Sequence, residues 1–233
     1  MKKITALLLA LMMLAGVFAS CGKPKDTGKA GKLKVVTTIF PAYDWVRAIL
    51  GDKADNAEVT MLLDNGVDLH SYQPTADDIV KISDCDLFIY VGGESDEWVE
   101  DALRNAANRN MKVINLLEVL GDSVKTEEIV EGMQEEEHEH EDAHAHDDAE
   151  EHEHEEEADE HVWLSLKNAK MLVRVISKAL QELDPDNKDI YAANADAYVK
   201  KLSALDAEYQ AAVDAASNKT ILFGGRFPFR YLV

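Results

Sequence analysis

Cysteine is scarce in this chain, which has only two among its 233 residues, Cys21 and Cys85. Cys85 lies beside a strand-like run, where a small buried side chain is expected. One cysteine in the body of the protein leaves no intramolecular disulfide and no thiolate metal cluster. Any metal chemistry must therefore depend on histidine and carboxylate side chains.

Positive charge is also in short supply. The chain has 24 Lys and Arg against 45 Asp and Glu, a formal net charge of −21. Residues 134–160 hold 16 of the acids, so 29 acids and 24 bases remain elsewhere, and the rest of the chain is only mildly acidic. This balance argues against a nucleic-acid partner. Because the sequence has neither a Gly-rich phosphate loop nor a Ser/His/Asp series, we do not predict an enzyme.

The one long apolar run, Ile4–Phe18, lies between two lysines and a small-residue site that ends at Cys21. This arrangement predicts a secretory signal peptide over residues 1–20, too short to span a membrane comfortably. The position of the cysteine resembles a bacterial lipobox, which predicts lipidation of Cys21 and a lipidated tether over residues 21–32. Ordinary cleavage near Ser20, leaving a free thiol, is the alternative.

Residues 134–160 form an acidic His-rich loop with 16 acids, six histidines, four alanines and one glutamine. Such a composition cannot bury apolar area, so the loop is expected to be solvated and mobile. Neutral imidazole is a good zinc ligand, and the carboxylates attract cations. We therefore predict weak accessory metal sites at six paired histidines: His138, His140, His144, His146, His152 and His154.

Strand-like runs alternate with helical segments of about ten residues in the first half of the chain. The predicted strands are Lys34–Thr38, Glu58–Leu63, Asp86–Val91 and Lys112–Asn115. The alternation predicts an α/β fold, with a parallel sheet and helices on both of its faces.

Three further segments complete the predicted organisation. An N-terminal α/β metal-binding lobe is expected over residues 33–185, including the His-rich loop. Residues 186–217 contain neither Pro nor Gly, which predicts a long linking helix. The strand-like run Thr220–Phe223 predicts that residues 218–233 begin a second α/β lobe, and the sequence is therefore expected to be a fragment.

The two histidines outside the His-rich loop lie in distinctive segments. His70 lies in Gly66–Thr75, which reads GVDLHSYQPT, and His161 lies in Asp159–Leu164, which reads DEHVWL. His70 follows a predicted strand, at the edge where ligands bind in parallel sheets. A shared metal site is the interpretation we favour over two isolated polar side chains.

The two segments resemble signatures of the zinc/manganese solute-binding lipoproteins, the metal-binding receptors of ABC transporters, with the forms G-x-D-x-H-x-Y-x-P-T and D-x-H-x-W-L. An acidic His-rich loop before the second signature resembles the zinc-specific branch. The resemblance implies two α/β lobes joined by a long helix, with metal in the cleft held by His70 and His161. It places Gly224 where the family has a third ligand, a histidine, and the fourth ligand, a carboxylate, beyond Val233.

The expected function is that of an extracytoplasmic receptor, lipid-anchored to the bacterial cell membrane, that captures Zn²⁺ and delivers it to the permease of an ABC importer. Mn²⁺ favours oxygen ligands, whereas the histidines of this chain offer imidazole nitrogens. We therefore expect the bound metal to be zinc rather than manganese. A manganese receptor of the same family, a surface adhesin and a zinc-scavenging lipoprotein stay open as alternatives. The protein is expected to be a monomer.

Overall fold

The structure is a computed structural model that describes residues 31–64, 66–126, 158–223 and 227–232. Its strands are β1 (Leu33–Thr37), β2 (Ala57–Met61), β3 (Leu87–Tyr90) and β4 (Lys112–Asn115). Its α-helices are α1 (Phe40–Leu50), α2 (Ala76–Asp84), α3 (Trp98–Arg104), α4 (Leu116–Leu120), α5 (Leu166–Leu183) and α6 (Lys188–Ala215). All four predicted strands are confirmed, and their ends differ from the prediction by at most two residues. The short helix α4 was not predicted.

The sheet is parallel throughout, with the strand order β2-β1-β3-β4. Its central strands are apolar on both faces: Val35 of β1 and Phe88 of β3 are fully buried. Continuous burial of this kind is typical of parallel strands covered by helices on both sides. The predicted α/β class is therefore confirmed.

The order of the strands explains the two helical layers. The crossover through α1 leads from β1 to β2 on one side of the sheet, and the crossover through α2 leads back past β1 to β3. Right-handed crossovers in opposite directions place their helices on opposite faces. Helix α1 packs with α5 and α6, whereas α2 packs with α3. The direction of winding thus changes between β1 and β3, where such sheets bind ligands.

Helix α6 packs on the sheet-bearing body along its N-terminal part and leaves it after residue 206. Tyr191, Ala195 and Val199 are buried on one side of it, four residues apart. Beside them, the Tyr198 hydroxyl donates to Asp44 at 2.8 Å. Every residue from 207 to 223 is exposed. The predicted long helix is confirmed, and its role as a link between two lobes stays a prediction.

The strand predicted at Thr220–Phe223 is wrong, because these residues are exposed and belong to none of the described strands. A strand is stable only where a neighbouring backbone pairs with it, and no described strand lies beside this segment. Gly224 lies outside the described residues. That residues 218–233 begin a second lobe stays a prediction.

The described end of the chain, residues 227–232, forms turns that contact the body. The Tyr231 hydroxyl accepts a hydrogen bond from the Lys125 backbone N–H and donates one to the Asp159 carbonyl, each at 2.8 Å. Tyr231 is buried by these contacts. It thereby joins the two chain segments that flank the His-rich loop.

None of the helices in the described ranges is both long enough and apolar enough to cross a membrane. The predicted signal peptide and Cys21 lie outside those ranges, so the lipidated tether stays a prediction.

Candidate metal centre

His70 lies on a single 3₁₀ turn, Leu69–Ser71, in the loop between β2 and α2. The Asp68 carboxylate accepts a hydrogen bond from the His70 backbone N–H at 3.0 Å and so caps this turn. After the turn, Thr75 caps α2 through a reciprocal pair of hydrogen bonds with Asp78. The Tyr72 hydroxyl donates to the same Asp78 carboxylate at 3.0 Å. The polar residues of the first signature therefore fix the loop that carries the histidine.

His161 precedes another 3₁₀ turn, Val162–Leu164, just before α5. One carboxylate oxygen of Asp159 accepts from the His161 backbone N–H at 2.9 Å and lies 3.0 Å from its Nδ1. Asp159 is buried, so this contact is shielded from water. Because a carboxylate can only accept, the ring carries its proton on Nδ1 and leaves Nε2 with a free lone pair.

The structure brings the two imidazoles together although 90 residues separate them in the sequence. Their ring centroids are 5.5 Å apart, and both rings are partly exposed. The Trp163 ring packs against His161, with a centroid separation of 5.4 Å. The pair lies beyond the carboxyl ends of the strands, as predicted from the position of His70.

The carboxylate of Glu160 also lies between the two loops that carry the histidines. Its Oε1 accepts from the Ser95 backbone N–H at 2.9 Å, and its Oε2 lies 3.7 Å from His70 Nδ1. Glu160 is only 6% exposed. Within the described part of the chain, Oε2 has no hydrogen-bond partner. The centre thus places a buried carboxylate oxygen beside the two imidazole rings.

Glu160 and Asp159 correct the predicted extent of the solvated loop. The sequence assigned both to the acidic His-rich loop, but both are buried in the folded body. Each carboxylate is kept there by backbone N–H donors, which offset part of the desolvation of its charge. The missed signal was the second signature itself, in which both acids directly precede His161.

The six histidines of the His-rich loop lie outside the described residues. Thr126 and Ala158, on either side of residues 127–157, form an antiparallel bridge, and the Asp159 N–H donates to the Lys125 carbonyl at 2.8 Å. The loop therefore leaves and re-enters the body at one place, three residues before His161.

The described residues contain no group of three or more His, Cys, Asp or Glu side chains placed to hold one metal ion. They offer the imidazole pair, with its supporting carboxylates. Zinc takes four ligands, or three with one open position, so the pair supplies part of a zinc coordination sphere.

Asp96 adds a further buried carboxyl group near this centre. Its Oδ2 accepts from the backbone N–H groups of Val91 and Gly92 at 2.9 and 3.0 Å. The pKa of Asp96 is raised from 3.8 to about 6, mainly by burial and also by the nearby charge of Glu160, against the opposing effect of the two N–H donors. The folded protein therefore binds a proton at Asp96 more readily than the unfolded chain does.

We expect Asp96→Asn to stabilise the protein at neutral pH. Because the pKa of Asp96 is higher in the folded state, its ionisation lowers the free energy of unfolding as the pH rises from about 4 to about 6. Asn can keep an oxygen toward the two N–H donors without the charge, so the free energy of unfolding at pH 7 should increase by roughly 1–3 kcal/mol. Urea unfolding across this pH range measures the effect, with exposed Asp122→Asn as control. An unchanged pH profile in the Asp96 variant would contradict this account.

Comparison with known proteins agrees with this geometry. The family model of ZnuA, described as zinc-uptake complex component A, periplasmic, matches residues 35–233. The chain belongs to the ZnuA family. The family predicted from the two signatures is thereby confirmed.

Two curated relatives are similar over nearly the whole chain. The high-affinity zinc uptake system protein ZnuA of Bacillus subtilis (strain 168) is 36% identical over 219 residues, which cover 91% of this chain and 63% of that protein. The zinc-binding lipoprotein AdcA of Streptococcus pneumoniae serotype 4 is 35% identical over 222 residues, covering 95% of this chain and 40% of AdcA. The chain thus spans less than two thirds of the length of either relative.

The fold is also that of a solved family member. The crystal structure of Zn(II)-bound AdcA from Streptococcus pneumoniae matches with a TM-score of 0.65 and 30% identity, covering 87% of this chain and 37% of that one. The parallel sheet, its flanking helices and the long helix α6 therefore belong to the ZnuA-like fold.

Proposed function

We propose that this chain is the zinc-capturing receptor of an ABC-type importer, with His70 and His161 as two ligands of the captured ion. The observation that carries the proposal is the 5.5 Å separation of the two rings, each on a loop fixed by its own signature. Neutral imidazole is a preferred ligand of Zn²⁺.

Both rings are supported at Nδ1, which leaves Nε2 as the nitrogen available to a metal. His161 Nδ1 contacts Asp159 at 3.0 Å, and His70 Nδ1 contacts the Ser95 hydroxyl at 3.0 Å. Zinc-bound histidines usually donate their second ring N–H to a carboxylate, a carbonyl or water, which orients the ring and raises its basicity. The two supporting contacts thus favour ligation through Nε2.

Buried negative charge supports the capture of a cation. Asp159 and Glu160 are both at most 6% exposed, and Asp96 lies near Glu160. Burying acids close together costs stability unless a cation offsets their charge. A divalent ion between the histidines would supply that charge.

The remaining coordination positions stay open to other groups. Two imidazoles leave two positions of a tetrahedral zinc site, which solvent or the His-rich loop can fill.

The relatives support the partner and the location that we propose. The family description places component A of a zinc-uptake complex in the periplasm, and the AdcA relative is named a lipoprotein. We propose that lipidation at Cys21 holds this protein outside the cytoplasm, where it delivers zinc to a membrane permease. We further propose that it carries out no catalysis.

Metal titration of the purified protein, with a chelator as competitor, tests the proposal. We expect one tight Zn²⁺ site and much weaker binding of Mn²⁺, which prefers oxygen ligands. Tighter binding of Mn²⁺ than of Zn²⁺ would instead assign the chain as a manganese receptor. The absence of any tight metal site would reject both assignments.

A further inference from the structure

Glu160 makes the contacts that connect the two histidine loops, although it is not a member of the imidazole pair. It directly precedes His161 in the sequence, yet its side chain points to the other loop. Oε1 accepts from Ser95 N–H at 2.9 Å, and Oε2 lies 3.7 Å from His70 Nδ1. The Ser95 hydroxyl in turn lies 3.0 Å from the same ring nitrogen.

The backbone is shaped to receive this carboxylate. Gly93 has a φ of +83°, and a Cβ added there would lie 2.3 Å from Glu160 Oε1 and 2.8 Å from its Cγ. No side chain larger than hydrogen fits at that distance, and the left-handed backbone conformation also favours glycine. The carboxylate is therefore held tightly against the turn that follows β3.

This placement decides where the His70 ring carries its proton. A neutral imidazole has one N–H, on either Nδ1 or Nε2. A buried carboxylate only accepts, and its unpartnered Oε2 faces Nδ1. The carboxylate therefore favours the tautomer with the proton on Nδ1, where it can also be donated to the Ser95 hydroxyl. Nε2 then keeps its lone pair.

We propose that Glu160 is a positioning residue that holds His70 in the Nδ1–H tautomer and so prepares its Nε2 for the metal. The metal role rests on the proposed function, whereas the tautomer is a property of the metal-free protein. Consecutive acids thus have parallel tasks: Asp159 supports His161 on its own loop, and Glu160 supports His70 on the other. The loop that carries one imidazole orients the second.

Glu160→Gln tests the proposal with little change in shape. The amide oxygen of glutamine can accept from Ser95 N–H, which leaves its NH₂ group facing His70 Nδ1. An NH₂ group only donates, so it favours Nδ1 as an acceptor and the proton on Nε2, where it blocks ligation. We expect zinc affinity to fall about 10–100-fold, the usual effect of losing a group that orients a metal-bound histidine.

The matched control is Glu182→Gln, the same substitution at an exposed glutamate on α5 whose carboxylate pairs with Lys112. Its zinc affinity and its His70 tautomer are expected to equal those of the unmodified protein. The tautomer is read in metal-free protein from ¹⁵N chemical shifts of the imidazoles, at a pH of about 8, where free histidine is neutral. A purely structural role for Glu160 would lower thermal stability without moving the proton.

Two results would overturn the proposal. One is a His70 proton on Nε2 in the unmodified protein, which needs no variant to fold. The other is a Glu160→Gln protein that keeps both its Nδ1–H tautomer and its zinc affinity. If the unmodified protein binds no zinc tightly, the proposed function fails, and the tautomer measurement still decides the role of Glu160.

Discussion

Replacing His70 or His161 with alanine is expected to weaken zinc binding at the tight site by more than about tenfold, since losing a group that only supports a ligand already costs about 10–100-fold. Each change removes one of the two imidazoles that the described residues bring together, with ring centroids 5.5 Å apart. Each single variant keeps one of these two nitrogen ligands, so its zinc site is weakened. The double variant should lose the tight site altogether.

Chelator competition measures this affinity, and isothermal titration measures the stoichiometry. The matched control is His144→Ala, which removes an imidazole from the His-rich loop and should leave the tight site unchanged. Both ligand positions are partly exposed, so the variants should fold, which circular dichroism can verify. A double variant with the affinity and stoichiometry of the unmodified protein would show that the tight site lies elsewhere.

Deleting residues 134–157 is expected to remove every weak zinc site and to leave the tight site intact. The deleted stretch holds six of the eight histidines of the chain. It ends before Ala158, whose bridge to Thr126 closes the body beside His161. Because that bridge already brings the ends of the loop together, shortening the loop should cost little free energy of unfolding.

Zinc titration of the deletion variant should therefore show one tight site and no further binding. The loop acts in this view as a tethered reservoir that raises the zinc concentration near the imidazole pair. A suitable control keeps the loop at its full length and changes only its six histidines to alanine. This variant should bind zinc as the deletion variant does. Loss of the tight site in both variants would mean that the loop supplies a ligand to it, and loss in the deletion alone would point to the loop backbone or its acids.

Much of the fold was predictable because its signals are local. The apolar runs of β1 and β3 and the capped start of α2 at Thr75 each depend on a few neighbouring residues. The run at Thr220–Phe223 is also largely apolar but forms no strand. The strand prediction fails there because a strand needs a neighbouring backbone to pair with, and the composition of a segment does not indicate whether one is present.

The charge of a segment predicted the burial of its side chains less well than its hydrophobicity did. Asp159 and Glu160 end the acidic run, and their composition alone predicts solvated side chains. Their burial depends on hydrogen-bond donors that only the fold provides, such as the Ser95 N–H, which lies 65 residues earlier in the chain. Because these two acids lie at the end of the acidic run, its composition gave no sign that their side chains are buried.

The sequence by itself determined the α/β class, the family and the two histidines, because each is written in a contiguous pattern of residues. Only the tertiary structure decided that Glu160 of one loop faces His70 of the other. Such a contact depends on the distance between two strand ends and on a glycine that leaves room for a carboxylate, and neither is encoded within one segment. The pair of imidazoles was predictable from sequence, and the group that orients one of them was not.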